Sequence, residues 1–331
     1  MKVAVIVVRK RWNNAPSFLV EGIKKGLTDA IIDGESAQID FSFVRFAIHE
    51  PDKLWIDPEE VKKYDVLLIP FWIGERILNC NLLELKKMGL RICLYTGIAP
   101  YNCRPPFDFS ISAKEMRQGQ LSDLQWETLN AVDKFFVVKK TFPFDKEIEI
   151  GCGQFEEWLK PDKSKTDCIL IDFCKKEWDE FVWHEFAESW DEMKSRPNLR
   201  LIQFGEYPAR LDESCVFKRP FLHYRRICKI YGKIKIFVAM NESFGYPILE
   251  NKLAGNMVLV HENSQLPNFH LKSSFVVPWN SSNLKDKIFS FLDEYNQDTS
   301  RRISQEFQSN NPNLMSWKRT VKRLTDELQK I

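Results

Sequence analysis

The feature that most limits what this chain can fold into is a regular alternation of short β-branched, apolar runs with stretches of helical periodicity. Lys2–Val8 is such a run, and a helix-like stretch follows from Ser17 to Asp29. Ile39–Phe46 alternates as a strand, and Val66, Leu67, Leu68 and Ile69 make the next apolar run within Asp65–Pro70. Leu82–Met88 reads as a short helix ending at Gly89, a natural C-cap. Leu90–Tyr95 is a strand, Leu121–Val132 a helix and Lys134–Val138 a strand. Such alternation implies βαβ units, in which each helix carries the chain back to start a parallel strand.

The rhythm pauses between about Thr141 and Thr166, where Pro143, Gly151, Gly153, Pro161 and several charges predict a linker. A second series then begins with a strand at Asp167–Phe173 and an amphipathic helix at Trp178–Lys194. Strands follow at Arg200–Phe204, Lys235–Met240, Met257–His261 and Phe275–Val277, with helices at Tyr246–Leu253 and Leu284–Tyr295. The expected fold is α/β, two Rossmann-like doubly wound domains facing a cleft, over residues 1–150 and 151–312. A length of 331 residues suits two ordinary domains. In open parallel sheets ligands bind beyond the carboxyl ends of the strands, so that is where chemistry is expected.

Bulk properties narrow the function. Hydrophobic residues make up 44% and charged residues 28%, an ordinary globular balance. The formal net charge of +2 argues against a nucleic-acid partner. No run approaches the ~18 apolar residues of a membrane span. The apolar stretch at the N-terminus is too short for a secretory leader and lacks a small-residue cleavage site, so a cytoplasmic location is expected. The eight cysteines form no C-x-x-C pair, and none lies near a His at zinc-finger spacing. They read as reduced, buried thiols, and no metal site is expected.

The informative segment is Lys235–His261. A strand ends at Met240, Asn241–Gly245 forms a loop, and Pro247 stands near the first helical position, its preferred place. The helix stops at Gly255 and the next strand starts at once. Glu242 and Glu250, eight positions apart, flank the loop and the start of the helix. Backbone N–H groups and the helix dipole there favour an anion such as a diphosphate, and Gly245 lets it approach closely. The carboxylates suit ligand hydroxyls, which a sugar or ribose offers. The plain alternative is that Glu250 complements the helix dipole and Glu242 is a solvated loop charge.

The run Glu242-Ser-Phe-Gly-Tyr-Pro-Ile-Leu-Glu250, followed by Leu253-Ala254-Gly255, resembles the E-x7-E motif and A-x-G turn of retaining GT-B glycosyltransferases of group 1. Phe275–Pro278 resembles the family's next strand, and Asn313–Trp317 its closing segment, after which a helix crosses back to the N-terminal domain. Ile148–Phe155 and Arg200–Gly205 resemble weaker landmarks, so the likeness covers Ile148–Ile331, while the first half matches in rhythm alone. The resemblance implies that residues 1–150, with a C-terminal helix in 313–331, form an acceptor domain. Residues 151–312 would hold the donor.

It further implies that Glu242 binds donor-sugar hydroxyls and Glu250 the ribose, with Ser243, Phe244, Gly245 and Tyr246 lining the donor pocket. Lys175 or Lys176 would supply the cation that the family usually provides as an Arg and a Lys after this domain's first strand; the plain alternative is a solvated pair opening a helix. Lys218 and Arg219 lie in a loop near Phe217–Phe221, where the family contacts the base, and would also reach phosphate. Arg225, Arg226 and Lys229 follow at helical spacing and read as a solvated face. The N-terminal domain departs from the family. Arg9–Asn14 has no glycine where a glycine-rich loop is usual, and no His follows the strand at Ile92–Tyr95.

The implied activity is transfer of a hexose-type sugar from a nucleotide-sugar to a glycan or lipid-linked acceptor. Retention of configuration, a place in cell-surface polysaccharide synthesis and peripheral association with the inner face of a membrane go with it. No redox cofactor or metal is required, and the base of the donor is left open. Two alternatives stay open: a catalytically degenerate GT-B module that binds nucleotide or glycan, and a nucleotide-sugar epimerase.

Overall fold

The structure is a computed structural model. It describes residues 1–8, 15–34, 39–46, 54–70, 77, 79–96, 122–137, 146–155, 157–173, 176–205, 211, 216–218, 224–239, 246–262, 273–311 and 316–331. The described residues up to 154, together with 316–331, form one compact unit, and those of 155–311 form another.

In the first unit the elements run β1 (Lys2–Val8), α1 (Ala15–Ile32), β2 (Asp40–Phe46), α2 (Pro58–Val61), β3 (Val66–Pro70), α3 (Leu82–Lys87), β4 (Arg91–Thr96), α4 (Asp123–Asn130), β5 (Lys134–Val137) and β6 (Glu147–Glu149). The six strands form one parallel sheet in the order β2-β1-β3-β4-β5-β6. All five residues of β3 are buried. That is the unbroken apolar run a central strand shows when helices cover both faces. Strand β6 corrects the linker expected over 141–166. Only three residues long and carrying two glutamates, it sits at the sheet edge, where short charged strands resist pairing with foreign chains.

The second unit contains β7 (Cys168–Phe173), α5 (Lys176–Met193), β8 (Arg200–Gly205), β9 (Val216–Lys218), α6 (Tyr224–Lys233), β10 (Ile236–Ala239), α7 (Tyr246–Leu253), β11 (Met257–His261), β12 (Val276–Trp279), α8 (Leu284–Glu294) and α9 (Gln297–Asn310). Its parallel sheet has the order β12-β11-β10-β7-β8-β9. The core joins Ile171 and Val238 of the sheet to Phe186 and Trp190 of α5, Trp279 of β12 and Ile288 of α8. Phe217 and Lys218, expected to open a loop, belong instead to the opposite edge strand β9.

The chain then returns to the first unit as α10 (Trp317–Leu328), which packs on α1. Trp317, Val321, Leu324 and Leu328 are buried along one stripe at helical spacing. The Phe18 and Trp317 rings meet edge to face, with centroids 5.2 Å apart. Gly22 permits this approach, because a Cβ there would lie 2.1 Å from the Trp317 ring. Ser316 caps the helix by accepting from Arg319 N at 3.3 Å.

Cys80, Cys93, Cys152, Cys168 and Cys228 are buried. Burial pushes the Cys168 thiol up to about 12. No helix among the described residues is long and apolar enough to cross a membrane.

Candidate functional site

Numbered from β7, the second sheet reads 3-2-1-4-5-6 across its width, the order of dinucleotide-binding sheets. The direction of winding reverses between β7 and β10. These strands pair in parallel, with Asp172 opposite Ala239 at their carboxyl ends. A ligand in such a sheet lies in the crevice beyond those two ends. Two pieces of chain leave from there, residues 174–175 leading into α5 and residues 240–245 leading into α7.

The sequence places its candidates on these two pieces. Lys176 is the first residue of α5 and Tyr246 the first of α7, so the helices they open start from neighbouring strands. Lys175, Glu242, Ser243, Phe244, Gly245 and Arg219 lie outside the described residues. Lys218 ends β9 opposite Phe204 of β8. That strand is two places from β7, roughly 10 Å across the sheet. In the first sheet the corresponding reversal is between β1 and β3, and the basic segment Arg9–Asn14 that follows β1 lies outside the described residues.

Glu250 is 5% exposed, in a helix whose residues from Ile248 to Leu253 are all buried. It is the fifth residue of that helix, and the dipole acts mainly within the first turn. Complementing the dipole is therefore a weak reason for a buried carboxylate at this place.

The far end of α7 is fixed by a dense set of backbone bonds. Gly255 N donates to Lys252 O at 3.0 Å and Asn256 N to Asn251 O at 2.9 Å, the pair that defines a Schellman cap. Gly255 takes the left-handed φ of +73° that this cap requires. From α9, Ser304 Oγ donates to Leu253 O and Ser300 Oγ to Gly255 O, both at 2.7 Å.

Beneath the cap runs a polar network that sequence reasoning missed. Asn256 Nδ2 donates to Asn251 Oδ1 at 2.7 Å and to Tyr231 O at 2.9 Å. Asn251 Nδ2 donates to Pro247 O at 2.7 Å, within α7. Lys165 Nζ donates to Asn256 Oδ1, and to Ile234 O at 2.7 Å. Burial pulls the Lys165 amine down to about 7, against the pull of Asp162. A lysine between Ser164 and Thr166, in a polar segment, reads in sequence as a surface charge, so its pattern gave no signal.

Two further groups escaped notice for the same reason. Lys252 is 1% exposed, its Nζ lies 5.4 Å from the Phe275 ring centroid, and no hydrogen bond from a described residue reaches it. Burial lowers it to about 7, opposed by the charge of Glu306. His261, 2% exposed at the carboxyl end of β11, has Nε2 3.2 Å from Glu185 Oε2. The same Glu185 oxygen accepts from Ser281 N at 3.1 Å. This pair ties the ends of β11 and β12 to α5.

Comparison with solved structures settles what this pair of sheets is. The chain matches Anabaena HepE in complex with UDP and glucose over 100% of both chains, with a TM-score of 0.65 and 10% identity. The fold is GT-B. A glycosyltransferase from Rickettsia africae ESF-5 matches over 99% of this chain and 98% of its own, with a TM-score of 0.60 and 12% identity. A UDP-GlcNAc 2-epimerase from Neisseria meningitidis, bound to UDP-GlcNAc, matches over 100% of both chains, with a TM-score of 0.59 and 12% identity. No protein-family description matches the sequence, and no curated protein does. At this identity the likeness is one of fold.

Proposed function

We propose that the chain is a glycosyltransferase that takes a sugar from a UDP-sugar and passes it, with retention, to a glycan or lipid-linked acceptor. The observation that carries this reading is the coincidence of two independent facts. The E-x7-E segment, Glu242–Glu250, spans the connection between β10 and α7. The strand order puts its winding reversal at that same strand end. UDP is the preferred nucleotide because HepE was solved with UDP and glucose.

In this reading Glu250 accepts from the ribose hydroxyls, and Glu242 from hydroxyls of the donor sugar. The N–H groups opening α7 meet the diphosphate, with Ser243, Phe244, Gly245 and Tyr246 around it. Lys175 and Lys176 neutralise charge on the departing diphosphate, the most demanding electrostatic task of such a transfer. Lys218 and Arg219, further along the sheet edge, serve the base side. A phosphate oxygen of the donor takes the acceptor proton, which suits a site whose assigned residues include no enzymic base. The first unit holds the acceptor, and the product belongs to cell-surface polysaccharide synthesis at the inner face of a membrane.

A second reading is favoured by the epimerase among the structural neighbours. It predicts interconversion of a UDP-sugar with no acceptor present.

The deciding experiment is a thermal melt with UDP, GDP and ADP, followed by incubation with UDP-sugars and analysis of the products. Binding raises the melting temperature as RT ln(1 + [L]/Kd). A shift with UDP, and UDP released only when acceptor is added, supports transfer. Epimerised donor without acceptor selects the second reading. A shift without turnover leaves a binding module, and no shift with any nucleotide removes the donor site altogether.

A further inference from the structure

Away from the crevice, the second unit carries a face of strongly one-sided charge. Helix α6 buries Cys228 and Tyr231 and exposes Arg225, Arg226, Lys229 and Lys233. At 3.6 residues per turn these four positions fall within an arc of about 100°. The chain before β7 runs alongside this helix. The Arg225 guanidinium lies 5.9 Å from the Trp158 ring centroid. Asp162 N donates to Gly232 O at 3.2 Å, and Thr166 N to Lys233 O at 3.0 Å.

That course brings the exposed Lys160 and Lys163 to the flank of the helix. Among the described residues, six cations (Lys160, Lys163, Arg225, Arg226, Lys229 and Lys233) share the face with two carboxylates, Glu157 and Asp162. Six less two leaves a local excess of +4, against +2 for the whole chain. Asp162 is engaged with Ser164, accepting from its N and its Oγ at 2.8 Å each. Lys160, Lys163, Arg226, Lys229 and Lys233 form no ion pair among the described residues. Other surface lysines of this chain do find partners, as Lys24 does with Glu21 and Lys194 with Asp191.

We propose that this face docks on an anionic lipid surface. Clusters of four to eight Lys and Arg on an amphipathic helix gain attraction to acidic headgroups with each cation added. The ring of Trp158, half-buried beneath Arg225 and stacked on Phe155 with centroids 4.5 Å apart, is an amphipathic aromatic of the kind that sits at a membrane interface. The exposed stripe of α6 is Arg and Lys alone, cations that meet headgroup phosphates without a fixed register. One helix of ten residues spans only about 15 Å, a short track for a nucleic-acid duplex and a sufficient one for a few headgroups. The inference rests on the membrane location in the proposed function and deepens it by naming the face that docks, while using none of the residues assigned to sugar transfer.

The test is co-sedimentation of the full chain with phosphatidylcholine vesicles, with and without about 30 mol% phosphatidylglycerol. Sedimentation is expected with the anionic vesicles only, and release is expected at roughly 0.5 M salt, where surface charges are screened. Arg226→Glu/Lys229→Glu/Lys233→Glu should lower the bound fraction at least ~10-fold, with the melting temperature and any UDP-induced shift unchanged. If that triple variant fails to fold, Lys229→Gln/Lys233→Gln gives the same comparison with a smaller loss. The proposal is overturned if the wild-type protein does not sediment with anionic vesicles, or sediments equally with neutral ones. Variants that bind like wild type, or tighter binding to a DNA duplex than to vesicles, also overturn it.

Discussion

Ser300 grips Gly255 from two directions. Its Oγ donates to Gly255 O at 2.7 Å, and its backbone carbonyl oxygen stands 2.4 Å from where a Cβ on Gly255 would be. The first contact holds the end of α7 against α9, and the second leaves room for glycine alone. The φ of +73° adds a conformational reason to the steric one.

Gly255→Ala should therefore cost more than the ~1 kcal/mol of the left-handed conformation, because the obstructing atom is backbone. A loss of about 2–4 kcal/mol is expected, read as a lower urea midpoint. Ser300→Ala keeps the space and removes one bond, and should cost about 1 kcal/mol. If both variants cost the same, the close approach has no energetic weight.

Lys252 gives a pH prediction of definite sign. Its amine is buried, without a hydrogen bond among the described residues, and pulled down to about 7 from the ordinary 10.5. Between these values the unfolded chain holds a proton that the folded chain lacks, so stability rises with pH from about 7 towards 10.5 and is flat below 7. Lys252→Met keeps the stem and removes the amine. It should gain about 1–3 kcal/mol at pH 7, and the gain should shrink by up to ~1.4 kcal/mol per pH unit above that. Lys165, lowered in the same way, acts equally in both proteins and cancels. A gain that does not change with pH would show that the amine titrates normally.

How much of this was legible in the sequence depended on length and burial. Strands such as β3 and β11 are buried at every residue, and each announced itself as an unbroken apolar run. Strands β6 and β9, three residues each at sheet edges, are too short to show a period, and β6 carries two charges. The apolar runs and Gly255 marked β10, α7 and β11 in their places. They carried no trace of the network under α7, since Lys165, Asn251 and Asn256 are residue types that usually face water. Tertiary burial, which pattern does not encode, turned them inward.

The return of the chain to α1 rests on Trp317. The ring is buried against Phe18 and fits over Gly22. Trp317→Ala should destabilise the first unit by about 3–5 kcal/mol. Gly22→Ala should also destabilise, because an added Cβ meets the ring from the other side at 2.1 Å. Amide exchange would localise the loss: faster exchange is expected in α1 and α10, with β7 and β10 unchanged. Equal acceleration in both units would mean that the helix is not a local clasp.

The assignment of the two glutamates separates binding from chemistry. Glu250, buried in the second turn of α7, is assigned to the ribose, which is present in UDP and UDP-sugar alike. Glu250→Gln should weaken both ligands by roughly 10- to 150-fold, the ~1.5–3 kcal/mol of a hydrogen bond to a charged acceptor. Glu242 is assigned to hydroxyls of the sugar, which UDP lacks. Glu242→Ala should leave UDP affinity unchanged and lower the rate of transfer, with the loss appearing in kcat wherever the contact tightens in the transition state. Calorimetric titration with UDP and then UDP-sugar, beside turnover assays on both variants, checks each half. The pattern that sinks the assignment is the reverse one, with Glu242→Ala losing UDP and Glu250→Gln keeping it. Loss of stability without loss of affinity in Glu250→Gln would instead make that carboxylate a structural member of the α7 core.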